Sequence, residues 1–145
     1  MSPGEAYLVV EVDGERFGLE AHRVETVVEY RRPFPVPGRP QALLGVLNHH
    51  GELLPVVHLA VPLGRRARLD RQRSVVVVVG WEDGILGILV ERTHGLLTPL
   101  SRARPAQVLG RWEGPFLHQT LEAEGTRVHV LDLDGLLADL AGRLR

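Results

Sequence analysis

Histidines are the side chains of this chain best suited to chemistry at neutral pH, and it has seven of them. His49, His50 and His58 lie on one predicted hairpin, where they could serve a metal-dependent hydrolase. A zinc site needs three or four converging ligands, but neighbours on a strand point to opposite faces. His49 and His50 could converge only in a turn, and no fourth ligand is apparent nearby. We therefore interpret these histidines as turn and surface residues, with metal binding as the third hypothesis for function.

Two carboxylates, Asp132 and Asp134, are spaced so that they would share one face of a strand, as a general acid–base pair requires. Asp and Gly also end strands and begin helices, so we predict that Asp134 caps a helix. The sequence has no cysteine, which excludes disulfides, thiolate metal sites and cysteine nucleophiles. It also lacks a serine nucleophile elbow and a phosphate-binding glycine loop. The residues favour a binding module over an enzyme.

Five arginines fall in one polar stretch, residues 64–73, although the chain has no lysine. Small β barrels often bind RNA, and such a loop could contact it. No aromatic residues interleave with these arginines for base stacking, and Asp70 interrupts the run. We interpret residues 64–73 as a solvated connector, and an RNA-binding small-barrel protein that uses this loop is the alternative function.

The composition indicates strands and a soluble chain. Hydrophobic residues make up 44% of the sequence but aromatic residues only 5%, so Val, Leu and Ile must build the core, which suits a pleated sheet. The net charge of −1 gives no overall attraction to nucleic acid or acidic lipid. The polar N-terminus is not a signal peptide, and the longest apolar run, Val75 to Val79, is too short to span a membrane. We expect a cytoplasmic protein without a cofactor, nucleic-acid partner or membrane insertion.

The sequence repeats itself. Residues 17–28 align without a gap on residues 86–97 at an offset of 69, and residues 47–63 align on residues 121–137 at an offset of 74. Two copies are too few for a solenoid, so the repeat predicts a pseudo-twofold pair of small all-β units. We expect a single domain over residues 1–145, with approximate subdomains 7–63 and 74–137 joined by the loop 64–73.

The turns and glycines of the predicted strands favour small five-stranded barrels. Asp13–Gly14 and His50–Gly51 are hairpin turn signals. Gly18 and Gly87, which the repeat aligns, fall inside strands, where they predict a bulge or a sharp bend. A final apolar stripe at helical spacing predicts a short C-terminal helix; its residues are Leu136, Leu137, Leu140 and Leu144.

In order along the chain, these residues resemble the CheW-like adaptor family of bacterial chemotaxis, from about Tyr7 to Leu140. The segments that carry the resemblance are Tyr7-Leu-Val-Val, Phe17-Gly-Leu with Val24, Gly45-Val-Leu-Asn48 with Gly51, Pro55-Val-Val with Leu59, Gly87-Ile-Leu-Val-Glu91, and the Gly125 turn with Val128 to Leu133. The resemblance implies an all-β fold of two small five-stranded SH3-like barrels around a shared core, with a short C-terminal helix. It also implies a non-enzymatic adaptor that couples the cytoplasmic tip of a chemoreceptor to the regulatory domain of a CheA-type histidine kinase.

The resemblance assigns residues to both partners. Receptor tips lie in an apolar groove between the barrels, which is carried over onto Val24 and Val27 on the third strand and onto Ile88 and Val90 across the seam. The kinase regulatory domain, which has the same fold, docks end-on at the barrel edges.

Three kinase-coupling candidates depart from the family pattern. The family's Asn-Leu-Arg-Gly signature reads Asn48–His49–His50–Gly51, so His50 replaces the usual arginine. His58 replaces the usual aspartate of the next strand, and Thr26 replaces an acid of strand three. Losing both members of an arginine–carboxylate pair avoids a stranded charge, so the resemblance implies that positions 50 and 58 touch and that kinase binding is weakened.

Overall fold

The computed structural model describes residues 6–98, 103–105, 114–123 and 125–145, and strands dominate them. The irregular stretch that the sequence predicts over 108–115 lies largely outside these residues. The strands are β1 Tyr7–Val12, β2 Glu15–Glu20, β3 Val24–Glu29, β4 Leu43–His49, β5 Glu52–His58, β6 Val75–Trp81, β7 Gly84–Val90, β8 Arg92–Leu97, β9 Ala103–Pro105, β10 Leu117–Ala123 and β11 Thr126–Leu131.

Three short helices accompany the strands in the described part of the chain: a 3₁₀ turn over Ala21–Arg23, α1 over Ala60–Leu63 and α2 over Leu133–Arg143. The sequence predicted α2 but not α1. Among the described residues, no helix has the length and apolar character needed to cross a bilayer.

The strands form two sheets, and each sheet draws on both halves of the sequence. Sheet A has the order β8-β1-β2-β11-β10-β9, and sheet B has the order β3-β6-β7-β5-β4. Each sheet therefore combines the first two strands of one repeat with later strands of the other. The predicted subdomains 7–63 and 74–137 consequently do not coincide with the sheets, because β3 leaves its own repeat to pair with β6, and β8 pairs with β1.

The predicted pseudo-twofold repeat is confirmed at the level of individual residue pairs. Gly18 lies opposite Val130 in the parallel pair β2–β11, and Gly87 lies opposite Val56 in the parallel pair β5–β7. The offset of 69 aligns Gly18 with Gly87, and the offset of 74 aligns Val56 with Val130, so the two pairs are equivalent. The hairpins β4–β5 and β10–β11 also share a register shift at matching places, between Leu43 and Gly45 and between residues 117 and 119.

Each sheet encloses a small apolar cluster of its own, and both contribute to a larger shared core. The cluster of sheet A comprises Tyr7, Val9, Leu97, Leu121, Val128 and Val130. The cluster of sheet B comprises Leu47, Leu54, Val56, Val76, Val78, Ile85 and Leu89. Between the sheets, the shared core joins Val10 and Phe17 of sheet A to Ile88 of sheet B, with α1 and α2 packed against it. Burial of this aliphatic surface is the main force that holds the two sheets together.

The C-terminal helix is capped by a different aspartate from the one predicted. Asp132 is the N-cap residue, and its Oδ1 accepts a hydrogen bond from the backbone N–H of Gly135 at 3.2 Å. Asp134 lies in the first turn and instead pairs with Arg23 at 2.8 Å. The extended backbone at Asp132 puts its carboxylate where the first free N–H groups of the helix need an acceptor.

Gly87 is required by close packing and Gly18 is less tightly packed, and neither glycine forms the predicted bulge. The β1–β2 and β6–β7 ladders run through both glycines without a register shift. A Cβ atom at Gly87 would lie 2.7 Å from Cγ1 of Val76, whereas one at Gly18 would lie 3.3 Å from Cγ1 of Val128. The close neighbour at Gly18 belongs to the parallel strand β11 of the other repeat, whereas the one at Gly87 belongs to β6, the antiparallel partner in the same repeat.

We expect Gly87→Ala to lower the free energy of unfolding by about 1–3 kcal/mol, because Val76 is fully buried and cannot move aside. The matched control is Gly18→Ala, which should change stability by less than about 1 kcal/mol, since its neighbours need to shift only slightly. Urea unfolding of both variants measures the difference. Equal losses for the two would contradict the close-approach explanation.

Candidate functional site

Strand β3 lies at one edge of sheet B and carries two of the four predicted receptor-groove residues. Val27 lies opposite Val77, which belongs to the shared core, so Val27 faces the core side of the sheet. It is nevertheless 38% exposed, because the core ends at this edge. Val24 is half-buried and packs against the same core. These two predicted groove residues therefore lie at the margin of the seam between the sheets.

Leu96 on β8 is the counterpart of Val27, and the sequence analysis missed it. It lies opposite Leu8, a shared-core residue, and is 69% exposed at the edge of sheet A. The offset of 69 maps Val27 onto Leu96, so the repeat held the signal that would have found it. We call Val24, Val27 and Leu96 the aliphatic rim of the shared core.

Ile88 and Val90 do not line a surface, so their assignment to the groove is wrong. Both side chains are completely buried in the shared core. They lie on the central strand β7, which is paired on both sides by β6 and β5. A side chain without accessible surface cannot contact a partner, and these residues can only support the seam from within.

Thr26, a predicted kinase-coupling residue, is exposed but faces away from the seam. It lies opposite Val78, which belongs to the separate core of sheet B. The neighbouring residues Glu25 and Glu29 are exposed as well. Strand β3 therefore keeps acidic side chains at its edge although Thr26 is not one of them.

A second apolar surface lies at the β4–β5 hairpin. Leu47 and Leu54 point into the core of sheet B, so Val46, Leu53 and Pro55 point outward. Phe34 extends this surface, because its backbone exchanges two hydrogen bonds with Val46, of 2.8 and 2.9 Å.

Phe34 is 68% exposed and Leu53 is 70% exposed, which is unusual for large apolar side chains. We call Phe34, Val46, Leu53 and Pro55 the hairpin stripe. The prolines of the segment Arg32-Pro-Phe-Pro-Val-Pro37 predict an extended backbone, but not that Phe34 would belong to an exposed stripe.

The equivalent hairpin of sheet A presents polar residues at the same positions. The offset of 74 places Thr120, Arg127 and His129 at the positions of Val46, Leu53 and Pro55. His129 is buried, with its Nδ1 3.1 Å from the hydroxyl oxygen of Thr120 and its Nε2 3.1 Å from Glu15. The two repeats thus share a backbone, but where the β4–β5 hairpin exposes apolar side chains the β10–β11 hairpin has the buried polar side chains of Thr120 and His129.

His50 and His58 lie at opposite ends of the β4–β5 hairpin, so the expectation that they touch is wrong. His50 is exposed in the tip with a φ of 52°, and Gly51 follows with a φ of 82°, which confirms the predicted turn. His58 ends strand β5. At about 3.3 Å per strand residue, the two side chains are roughly 20 Å apart. The same separation argues against the zinc hypothesis, and no three potential ligands come together in the described residues.

His58 is an internal structural residue rather than a docking residue. Its ring is buried, Nδ1 accepts a hydrogen bond from the N–H of Ala60 at 3.0 Å, and Nε2 lies 2.8 Å from the carbonyl oxygen of Arg68. Burial lowers the pKa of His58, which the Arg68 carbonyl and the charge of Glu91 only partly oppose. His58 therefore joins β5, α1 and the arginine-rich loop as a neutral imidazole.

The arginine-rich loop folds back onto the β1–β2 turn. Arg65 pairs with Glu15 at 3.1 Å and with Asp13 at 3.4 Å, and Arg68 pairs with Asp13 at 3.3 Å. The backbone N–H of Arg66 donates to Asp13, and this bond is the main reason why the pKa of Asp13 is below its ordinary value. Two of the guanidinium groups that RNA binding would use are thus engaged within the protein.

The fold and its repeat agree with comparisons to known proteins. A family model of the CheW-like domain matches residues 6–141. The chain belongs to the CheW-like domain family. It is 26% identical over 135 residues to the chemotaxis protein CheW of Rhizobium meliloti, covering 92% of this chain and 87% of that protein. It is 26% identical over 133 residues to the chemotaxis protein CheW of Thermotoga maritima, with the same shares covered.

A solved structure shows the same architecture. The scaffolding protein TtCheW from Thermoanaerobacter tengcongensis superposes with a TM-score of 0.73 over 92% of this chain and 86% of that one, at 19% sequence identity. The predicted all-β class, with two SH3-like barrels around a shared core and a C-terminal helix, is confirmed. The chain is thus a CheW-like protein of chemotaxis signalling, and its family is one of non-catalytic scaffolds.

Because His50 and His58 are far apart, we expect a double-mutant cycle with His50→Arg and His58→Asp to be additive within about 0.5 kcal/mol. His50→Arg should leave the free energy of unfolding nearly unchanged, since the side chain is exposed. His58→Asp should lower it by about 1–3 kcal/mol, because the Arg68 carbonyl loses its donor. Chemical denaturation of the four proteins tests this, and a coupling well above 1 kcal/mol would restore the idea of a contacting pair.

Proposed function

We propose that this protein is a cytoplasmic, non-catalytic adaptor that couples the cytoplasmic tip of a chemoreceptor to the regulatory domain of a CheA-type histidine kinase. The observation that carries the proposal is that one folded body presents two exposed apolar surfaces, the aliphatic rim and the hairpin stripe. In strand order, Val24 and Val27 of the rim lie on β3 and the hairpin stripe includes β4, at opposite edges of sheet B, whereas Leu96 lies on the edge strand β8 of sheet A. Exposed apolar surface of this kind is typical of protein-binding sites, and two of them suit a protein that bridges two partners.

The aliphatic rim is the proposed receptor site. Val24, Val27 and Leu96 continue the shared core to the protein surface, so an apolar stripe of a receptor helix would extend a core that is already packed. The exposed carboxylates of Glu25 and Glu29 on the same strand favour a receptor segment with basic residues beside its apolar stripe.

The hairpin stripe is the proposed kinase site. The regulatory domain of a CheA-type kinase is expected to have the same barrel fold, so an end-on contact between hairpins would bury Phe34 and Leu53 against a similar apolar edge. This contact would derive its free energy mainly from apolar burial, because His50 at the hairpin tip is not the arginine usual in the family.

An arginine is nevertheless present beside the hairpin tip. Arg31, just after β3, donates a hydrogen bond to the carbonyl oxygen of Asn48 at 3.2 Å. Together with His49 and His50 it lines a cleft of about 500 Å³. Arg31 is therefore the residue that could supply a guanidinium charge to a kinase in place of residue 50. We propose that Arg31 takes the role of the family's usual arginine at position 50 and so preserves some kinase binding.

We expect Val27→Arg to weaken receptor binding about a hundredfold or more, equivalent to about 3 kcal/mol, because an unpaired charge would have to be buried in the complex. In the free protein the charge stays hydrated, so the melting temperature should barely change. Leu96→Arg should behave in the same way. The control is Ile88→Ala, which should destabilise the fold by about 2–5 kcal/mol as a core substitution. A large loss of stability in Val27→Arg would show that Val27 belongs to the core.

We expect Phe34→Ser combined with Leu53→Ser to abolish kinase binding while receptor binding is retained. Both side chains are mostly exposed, so the double variant should unfold at nearly the wild-type denaturant concentration. Val27→Arg provides the reciprocal control, because it should lose the receptor and keep the kinase. Calorimetric titration of each variant with a receptor-tip fragment and with the kinase regulatory domain measures both affinities. If each variant loses both partners, or neither, the assignment of two separate sites is wrong.

A further inference from the structure

Of the four edge strands in the described residues, β4 has no protection against pairing in its own sequence. An exposed edge can pair with another chain, and proteins usually prevent this with charges, prolines or bulges. The strand β3 carries Glu25 and Glu29, β8 begins with Arg92, and β9 contains Arg104 and Pro105. The seven residues of β4 include no charged residue and no proline. Another part of the chain must therefore keep this edge of sheet B from pairing.

The segment that follows β3 covers the edge of β4. Its Phe34 exchanges two backbone hydrogen bonds with Val46, of 2.8 and 2.9 Å, as paired strands do. We call residues 31–39 the strap. Most of its residues are exposed, Phe34 included, so apolar burial contributes little to holding it in place. The strap is held mainly by hydrogen bonds to the backbone of β4.

Two arginines fasten the strap on either side of Phe34. At its start Arg31 donates to the carbonyl oxygen of Asn48 at 3.2 Å, and at its end Arg39 donates to that of Leu43. These two carbonyl groups lie close to the opposite ends of β4. Together with the central pair at Phe34, the strap thus engages backbone groups over the length of the strand.

Gly45 allows the strap to approach β4 this closely. Its φ of 153° lies in a range that residues with a side chain rarely adopt. A Cβ atom at this position would lie 2.9 Å from Cβ of Pro33 and 3.0 Å from the carbonyl carbon of Phe34. The backbone of the strap would have to move to make room for it. The sequence of β4 is therefore adapted to being covered.

The prolines of the strap prevent it from becoming a new edge. In an extended chain, successive residues direct their backbone N–H and C=O groups to alternate sides. Phe34 uses its groups on β4, so Pro33 and Pro35 fall on the outward side, where a proline has no N–H to offer. The alternation of proline with other residues over positions 33–37 therefore produces a segment that pairs on one side only.

The second repeat covers the equivalent edge in a similar way. The strand β9 follows β8 as the strap follows β3, and it pairs with β10, the counterpart of β4. Its Pro105 lies opposite Leu121, and its Arg104 lies opposite Glu122. A covering segment thus occurs at the same place in both repeats, which argues that it is a built feature of the fold.

We propose that the strap is an edge guard, which occupies the pairing edge of β4 and so prevents a second copy of this chain from pairing there. A second copy fits this edge because two antiparallel β4 strands around a twofold axis would satisfy both edges at once. Such a pair would also add contacts between apolar side chains at the edge, such as Leu44, which is 37% exposed. The inference goes beyond the adaptor role and does not depend on it.

A comparison of Phe34→Pro with Phe34→Ser tests the guard. Both variants lose the aromatic ring, but only the proline lacks the N–H that bonds to the Val46 carbonyl. We expect Phe34→Pro to self-associate at least about tenfold more tightly in sedimentation equilibrium, because an uncovered edge strand pairs with another chain. At low protein concentration its Val46 amide should exchange with deuterium faster than in Phe34→Ser, and it should become protected again as the dimer forms.

A charge on β4 identifies the surface that associates. Leu44→Lys added to Phe34→Pro should abolish the gain in association, since a lysine on an edge strand opposes pairing. Leu53→Ser, which changes β5 of the same hairpin, should preserve the gain. The reverse pattern would show that the hairpin stripe associates instead of the β4 edge, and the proposal would be wrong.

Should Phe34→Pro fold poorly, the double variant Arg31→Ala with Arg39→Ala decides the matter, because it loosens both ends of the strap and leaves β4 unchanged. It should show the same faster exchange at Val46 and the same association, again removed by Leu44→Lys. A variant with a released strap that stays as monomeric as Phe34→Ser would mean that the edge needs no guard. A Val46 amide that exchanges as slowly as in the wild type would mean that the strap does not cover it. Either result overturns the proposal.

Discussion

The structure depends on two parallel strand pairs, β2 with β11 and β5 with β7. Through these pairs each sheet is completed by strands from the other repeat, so neither repeat forms a full sheet alone. The shared core can form only once both pairs exist, because its residues come from both sheets and from both helices. Parallel pairs of distant segments are slow to form, because closing the long loop between them costs entropy before any contact of the pair contributes favourable free energy. The two halves are therefore expected to fold as one cooperative unit.

The exposed surfaces follow from the same exchange. Because β3 and β8 cross to the opposite sheet, each ends as an edge strand beside the shared core, and each leaves one aliphatic side chain at the margin. The rim is thus a by-product of how the core closes, which explains why Val27 and Leu96 occupy equivalent places. A partner that binds there adds to the core without requiring the sheets to move.

Much of the fold could be predicted because duplication leaves a local record in the sequence. The residues that the offsets equate, Gly18 with Gly87 and Val56 with Val130, occupy equivalent places in the two parallel pairs, where Gly18 lies opposite Val130 and Gly87 lies opposite Val56. The exchange of strands could not be predicted, because an aligned repeat shows which segments are alike and not which of them pair. The resemblance likewise placed Ile88 and Val90 in the groove, but only the central position of β7 shows that they are buried.

The site residues were harder to predict for the same reason. His50 and His58 are eight residues apart in the sequence, and only the hairpin shows that this spacing follows the length of a strand and does not bring them together. Asp132 replaced Asp134 as the cap because capping depends on the backbone angles at one residue. Leu96 was missed although the repeat pointed to it, because a leucine in a strand is usually core.

The difference between the two hairpin faces gives the molecule a direction. The backbone is nearly twofold symmetric, yet one hairpin presents Val46, Leu53 and Pro55 outward where the other carries Thr120, Arg127 and His129. Duplication supplied two copies of one frame, and divergence then made their ends non-equivalent. A partner that recognises the apolar end can bind in only one orientation, so a symmetric scaffold can assemble with a defined polarity.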